Sequence, residues 1–506
     1  MLARFADLPF VVVLIGIGAL AMLVPAAHGL AVDDHATAQA FFYWGILFLA
    51  LFGIVALATA NYKIRRQGRS HLISMLMTFA VLPVMLAVPF AEAVPDTRFL
   101  NAYVEMVSSL TTTGLTLFET ERLPASVHLW RAFVGWLGGF FVWVTAISVL
   151  APLNLGGFEV KSSAEVGSGA SVGTMQIDRV ADSSERLRRF SAHLLPIYVG
   201  LTGVLWIGLL AAGDSSLVAL THAMSTLATS GISPIGGTAG ASAGLPGEGF
   251  VLLFMVFALS RLTFSSDERA DGWWSLARDP ELRMGLLIAV TLSLLLFFRH
   301  FAASFEEGLE VTPYEGLLAL WGALFTVTSF LTTTGFESSQ WATARAWSGL
   351  GSPGVLLLGL AVFGGGVATT AGGVKLLRVF ALYKHGLREM EKLVQPSSIG
   401  GAGQAARRFR RQGAYVAWIF FMLFAMSIAL VTMGLTLVSG IDFESAIILT
   451  IATLSTTGPL TEVAGDAPVN LAALNDAAKG ILSAAMVLGR LETLAIIALL
   501  NPEFWR

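Results

Sequence analysis

The sequence predicts an all-α polytopic membrane protein: four parallel helix–loop–helix repeats with pseudo-fourfold symmetry, preceded by two extra N-terminal transmembrane helices. Three observations predict it. The 506 residues are 55% apolar and only 13% charged, with a mean hydropathy of +0.74, whereas a soluble domain carries about 25% charged residues. The apolar stretches are long enough to cross a bilayer. A pentad that begins with Leu, continues in small or hydroxyl residues and closes on Gly recurs four times: Leu110-Thr111-Thr112-Thr113-Gly114, Leu227-Ala228-Thr229-Ser230-Gly231, Leu331-Thr332-Thr333-Thr334-Gly335 and Leu454-Ser455-Thr456-Thr457-Gly458. Recurrence at a near-constant step marks internal repeats.

The elements follow in chain order. Apolar stretches near 10–30 and 40–60 supply the two leading helices, within residues 1–66. The first has a signal-peptide alternative, because Pro25-Ala26-Ala27 follows it; a lone Arg4 and the nearby Asp7 argue against that. Repeat one, 67–155, has helices near 72–93 and 127–150. Repeat two, 156–268, has them near 190–212 and 248–264. Repeat three, 269–392, has them near 284–303 and 350–380, and repeat four, 393–506, near 413–439 and 476–500. Within each repeat a short re-entrant helix leads into the pentad. The expectation is ten spans and four half-helices.

Loop charge sets the orientation. Lys63, Arg65, Arg66 and Arg69 share one loop; Lys161, Arg179, Arg186, Arg188 and Arg189 follow two spans later. Arg261, Arg269, Arg278 and Arg283 fill the next such loop, and Lys375, Arg378, Lys384, Arg388, Lys392, Arg407, Arg408, Arg410 and Arg411 the last. The intervening loops hold only Arg98, Arg122, Arg299 and Arg345. The basic set is therefore cytoplasmic, both termini are inside, and all four pentads enter from the outer side. Equal topology means parallel repeats; inverted repeats would alternate.

Several function classes are excluded. No cysteine is present, so disulfides and thiolate sites are ruled out. A net charge of −3 provides no field for nucleic acid. Neither a nucleotide-binding loop nor a catalytic triad or paired catalytic carboxylates can be read, so the chain is not expected to be an enzyme. His128, His222 and His300 lack metal-ligand spacing and read as structural or interfacial.

Four hydroxyl-rich loops at membrane depth can form one ring. Non-helical backbone survives there only where it is buried or lines a watery path. Carbonyls around an axis replace the water of a potassium ion. Each half-helix would aim its partly negative C-terminus at that axis, and each Gly would permit a backbone that a Cβ forbids and let the strands approach closely. The unit is thus a helix–pore-loop–helix, and the bland reading, a Thr-rich helix end with a Gly cap, does not explain four matched copies. Glu119, Glu121, Glu337, Glu462 and Asp466 follow the pentads and would either gather cations at the outer mouth or be ordinary solvated loop charge.

Two further features stand out. Gly364-Gly365-Gly366 and Gly372-Gly373 fall where a spanning helix should continue, and each glycine costs about 1 kcal/mol there. The segment is either a mid-membrane loop or a close-packing face. Arg490 is a charge deep in the last span; Glu492 lies i,i+2 from it and would not face it on a helix.

These residues carry a family resemblance. The four pentads, the segment Gly364 to Lys375, the Gly489-Arg490-Leu491-Glu492 motif and the ending Asn501-Pro502-Glu503-Phe504-Trp505-Arg506 are similar to the Trk/Ktr/HKT superfamily of cation transporters, and within it the bacterial TrkH type. The resemblance covers the whole chain. It implies potassium uptake across the bacterial inner (plasma) membrane, with a selectivity filter formed by Thr111–Gly114, Ala228–Gly231, Thr332–Gly335 and Ser455–Gly458. It implies an intramembrane gate at Gly364, Gly365, Gly366, Gly372 and Gly373, with Arg490 beside the pore. Potassium would be the transported ion, and no tightly bound cofactor is expected. A homodimer and a cytosolic ring of nucleotide-binding, RCK-type regulatory subunits are implied as partners, with the basic loop 375–411 as docking face or lipid contact. Gly at all four filter positions implies potassium over sodium, because sodium-passing plant relatives carry Ser at the first. The departures are Ala228 and Ser230 in repeat two, Pro459 after the fourth Gly, and Ala368-Thr369 in the glycine-rich segment. The alternatives are a proton- or sodium-coupled symporter, or a non-conducting scaffold of the same fold.

Overall fold

The structure, a computed structural model, describes residues 9–59, 67–151, 157–158, 183–260, 279–307, 313–395, 411–465 and 467–492. Every regular element among them is helical. Lys63, Arg65, Arg66, Lys161, Arg179, Arg261, Arg269, Arg278, Arg407, Arg408, Arg410, Asp466 and the ending Asn501–Arg506 lie outside the described residues.

The leading pair comprises α1 (Phe10–Ala21) with α2 (Leu23–Ala31), which together form one span, and α3 (His35–Thr59). Leu47, Ile54 and Leu57 of α3 face outward. Repeat one contains α4 (Gln67–Ala80), α5 (Leu82–Ala93), α6 (Phe99–Leu110) and α7 (Ala125–Thr145), which runs on through a π turn at Ala146–Leu150. The first span divides into α4 and α5 at Val81, and Pro83 stands in the first turn of the second segment.

Repeat two contains α8 (Ser183–Ala212), α9 (Ser216–Ala228) and α10 (Gly244–Met255), the last ending in a 3₁₀ turn at Val256–Leu259. Repeat three contains α11 (Pro280–Glu307), α12 (Pro313–Leu331), α13 (Trp341–Ser348), α14 (Pro353–Phe363) and α15 (Leu376–Val394). Repeat four contains α16 (Arg411–Ser439), α17 (Phe443–Leu454), the short α18 (Leu460–Val463) and α19 (Asp476–Leu491). Asp442 caps α17 by accepting Ser445 N–H at 2.9 Å, and Asn475 caps α19 by accepting Ala478 N–H at 2.8 Å.

Among the described residues, 8 helices are long and apolar enough to cross a membrane, or 9 if the pair α13–α14, bent by 116°, counts as one. Two of the ten expected spans, those near 248–264 and 476–500, run past the described residues. Among the described residues, helix is seen to Leu259 in repeat two and to Leu491 in repeat four, while the glycine run divides the second helix of repeat three at Phe363. Conversely, the half-helix α12 has 19 residues and reaches spanning length, against 12 or 13 for α6, α9 and α17.

Candidate functional site

The four half-helices α6, α9, α12 and α17 end in one backbone pattern. In each, the third pentad residue turns left-handed: φ is +54° at Thr112, +50° at Thr229, +57° at Thr333 and +54° at Thr456. The fourth residue then donates its N–H five residues back: Thr113 to Ser108 O at 2.8 Å, Ser230 to Ser225 O at 2.9 Å, Thr334 to Ser329 O at 2.9 Å and Thr457 to Ala452 O at 2.8 Å. This closure satisfies carbonyls that a helix C-terminus leaves free. The left-handed position is threonine, not the glycine of an ordinary cap. All the pentad hydroxyl residues are buried, as is Ala228.

The glycines come next and meet one another in a ring. A Cβ on Gly114 would strike the Ser230 carbonyl; one on Gly231 would strike the Thr334 carbonyl. One on Gly335 would lie 2.8 Å from Pro459 Cγ, and one on Gly458 would strike Leu115 N. Each repeat thus presses on the next, one to two to three to four to one. Gly114, Gly231 and Gly335 also have positive φ, at +74°, +64° and +83°. Gly458 is not among the positive-φ glycines, so conformational freedom does not account for it. Close approach does, because its N–H donates to Thr113 O at 2.6 Å. Pro459 then starts α18, and its ring packs within 2.7 Å of the place a Cβ on Gly231 would occupy.

Two sequence departures have local effects. Thr111 Oγ1 pairs with Thr113 Oγ1 at 2.8 Å, Thr332 Oγ1 with Thr334 Oγ1 at 3.0 Å, and Ser455 Oγ donates to Thr457 Oγ1 at 3.3 Å. Ala228 removes that pair from repeat two and leaves the buried Ser230 Oγ without a partner.

The glycine-rich segment 364–375 is a loop directly against these pentads. The helix breaks at Gly364, where φ is +71°. Gly372 N–H donates to Thr333 Oγ1 at 2.7 Å, and Thr370 Oγ1 donates to Leu227 O at 3.1 Å. A Cβ on Gly372 would strike the Ser455 carbonyl. Arg490 completes the set: its Nε donates to Thr111 O at 2.8 Å and its Nη1 to Thr370 O at 2.7 Å. The loop is thereby tied to all four repeats. It is anchored from behind by Gly366 N–H to Ala258 O at 2.9 Å and by Val367 N–H to the buried Glu281 at 2.9 Å. Gly365 and Gly373 face neighbouring backbone at Ala258 and Gly364 and leave no room for a Cβ.

Three ionic details complete the site. Glu492 is not the partner of Arg490 but bonds Arg378 at 2.7 Å. Arg378 and Lys375 are buried, not solvated loop charges: Arg378 lies 3.7 Å over the Phe420 ring, and Lys375 donates to Ala371 O. Of the acids after the pentads, Glu119, Glu121 and Glu462 are exposed and Glu337 is half-buried. Burial, with the repulsion of Glu462, pushes the Glu337 carboxyl up to about 7 against the pull of Arg345.

Other residues at this site escape the sequence reading. Glu105 and Arg131 form a buried pair at 2.6 Å, and Glu105 accepts Leu117 N–H at 3.1 Å. Glu248 of α10 accepts Ser338 Oγ at 2.7 Å and Ser339 N–H at 2.6 Å beyond the third pentad. The available signal was a charge within an apolar helix, the same that singles out Arg490.

Residues 245–504 match the TrkH family, described as a cation transport protein. The Trk system potassium uptake protein TrkH of Salmonella typhimurium is 30% identical over 495 residues, covering 96% of each chain. TrkG of Escherichia coli K12 is 26% identical over 510 residues, 97% of each. The crystal structure of the potassium transporter TrkH from Vibrio parahaemolyticus superposes with a TM-score of 0.80 at 25% identity, over 100% of both chains.

Proposed function

Because this chain belongs to the TrkH family of cation transport proteins, we propose that it takes up potassium through the ring of four pentads. The observation that carries the reading is that ring: four half-helices closing in one backbone pattern, each glycine pressed on the next strand. Such a ring offers fixed carbonyls in place of hydration water. The C-terminal ends of α6, α9, α12 and α17 add partial negative charge beside it. A stripped cation is stabilised there and an anion is not.

The loop 364–375 is the gate in this reading. It lies against the second, third and fourth pentads, and Arg490 sets a positive charge between the first pentad and the loop. Opening requires those bonds to part together. The protein is proposed to sit in a bacterial inner membrane with both termini cytoplasmic, to form a homodimer, and to be gated by a cytosolic nucleotide-binding regulatory subunit.

Rubidium uptake into liposomes containing the purified chain tests the pore. Uptake above empty liposomes, competed by potassium more than by sodium, is expected; no uptake by a folded protein would favour a scaffold. An imposed proton or sodium gradient that drives uptake against a rubidium gradient would favour coupled symport. Growth of a host lacking its own uptake systems on low potassium, with and without a co-expressed regulatory subunit, tests the gating partner.

A further inference from the structure

The four strands leaving the pentads are held by unequal means. Five residues before each pentad leucine stand Glu105, His222, Thr326 and Leu449. Glu105 accepts the N–H of Leu117, three residues past Gly114. Thr326 Oγ1 accepts the N–H of Ser338, three residues past Gly335, at 3.2 Å. His222 Nε2 shares a hydrogen bond of 2.8 Å with Ser233 Oγ, two residues past Gly231. Leu449 has no polar atom, and there the chain turns into α18 instead. One helix position is therefore a brace in three repeats, and its chemistry differs in each.

Only the first brace is a carboxylate. Glu105 is fully buried and its partner Arg131 is 3% exposed. A buried ion pair seldom stabilises a fold more than apolar residues of the same volume. What an apolar pair could not do is hold Leu117 N–H. The strand pivots at Gly114, which has no side chain and a φ of +74°. Beyond that pivot, Ser108 Oγ donates to Leu115 O at 2.6 Å and Glu105 receives Leu117 N–H; together they fix the strand against α6.

We propose that Glu105 is a positioning residue that sets the ion discrimination of the first pentad by holding the strand beyond Gly114 through Leu117 N–H. The proposal rests on the pentad ring being the selectivity filter. A loosened strand lets its carbonyls close on a smaller ion, so sodium gains on potassium while total flux persists.

The test uses the full chain in liposomes and measures rubidium and sodium flux with thermal unfolding on the same preparation. Single substitution of Glu105 would strand a buried guanidinium, so paired variants are used. Glu105→Leu with Arg131→Met removes both charges and the acceptor; the rubidium-to-sodium flux ratio is expected to fall about tenfold, ~1.4 kcal/mol. Glu105→Gln with Arg131→Met keeps a carbonyl acceptor for Leu117 N–H and is expected to restore the ratio to within about twofold of the parent. Gly114→Ser is the control for the filter itself. A parental ratio in the Leu/Met variant, with a lowered ratio in Gly114→Ser, overturns the proposal and leaves the filter standing. Equal loss in the Gln/Met and Leu/Met variants also overturns it, because charge and not the bond would then matter. An unchanged ratio in Gly114→Ser removes the filter reading itself.

Discussion

Threonine is a poor residue for a φ near +54°, because its branched Cβ crowds the carbonyl. Such a conformation costs of order 1–3 kcal/mol and persists only where the surroundings over-determine it. Here the same strain appears at Thr112, Thr229, Thr333 and Thr456, and the N–H bond donated by the residue just after each position holds it. The neighbouring glycines serve a different end, contact between strands. Gly114→Ser is therefore expected to lower potassium-over-sodium discrimination, by about tenfold, in a protein that still folds; reversal potentials in mixed ions check it. Glu337 gives a second prediction. Its carboxyl, raised to about 7, is charged above that value and neutral below. Acidifying the outside from about pH 8 to about pH 6 then removes a negative charge from the mouth and lowers rubidium uptake at low ionic strength. Glu337→Gln should flatten that profile. The pentads were legible in the sequence because they repeat. Glu105 and Glu248 were not, since their meaning lies in bonds to backbone 12 and 91 residues away.

At the scale of elements, glycine content foretold the break after Phe363, because a helix interior tolerates such a run poorly. It did not foretell what the loop would touch. Each of its bonds to the pentads joins residues remote in sequence, and no local pattern encodes such pairs. The 116° bend between α13 and α14 was equally hidden, although Gly349, left-handed at φ +58°, and Pro353 mark it afterwards. Deleting Gly364 to Gly366 is expected to raise flux and weaken dependence on any regulator. A fall to background in a stable protein would make the segment packing alone. Arg490→Gln keeps donors but removes the charge. It should raise cation flux several-fold, most at low salt, where screening is weakest. Lower thermal stability with unaltered flux per folded protein would refute the pore role.

For the whole molecule, apolar composition and matched repeats were enough to predict a helical membrane protein, because burying backbone polarity in lipid leaves few other solutions. The 19-residue half-helix α12 has the length of a span, and its place just before the third pentad, not its length, marks it as a half-helix. Exposure of Leu47 on α3 at 55% fits a lipid-facing belt. Leu47→Arg should cost ~2.5–3.5 kcal/mol at insertion and reduce the folded yield in membranes, whereas Leu47→Phe should not; comparing membrane yields checks this.

Because the four strands bear on one another in sequence around the ring, the pentad ring should behave as a circuit whose parts do not act alone. Gly114 would collide with the backbone of Ser230 beside Gly231, while Gly335 instead meets Pro459. Neighbours that share a contact show coupling of about 0.5–3 kcal/mol, and sites without one nearly add. Serine at Gly114 and Gly231 together should therefore depart from the sum of the single effects on selectivity, while serine at Gly114 and Gly335 should approach it. A channel of four separate subunits cannot pose that question, since each of its mutations appears four times at once; a ring carried on one chain lets adjacency and diagonality be told apart one pair at a time.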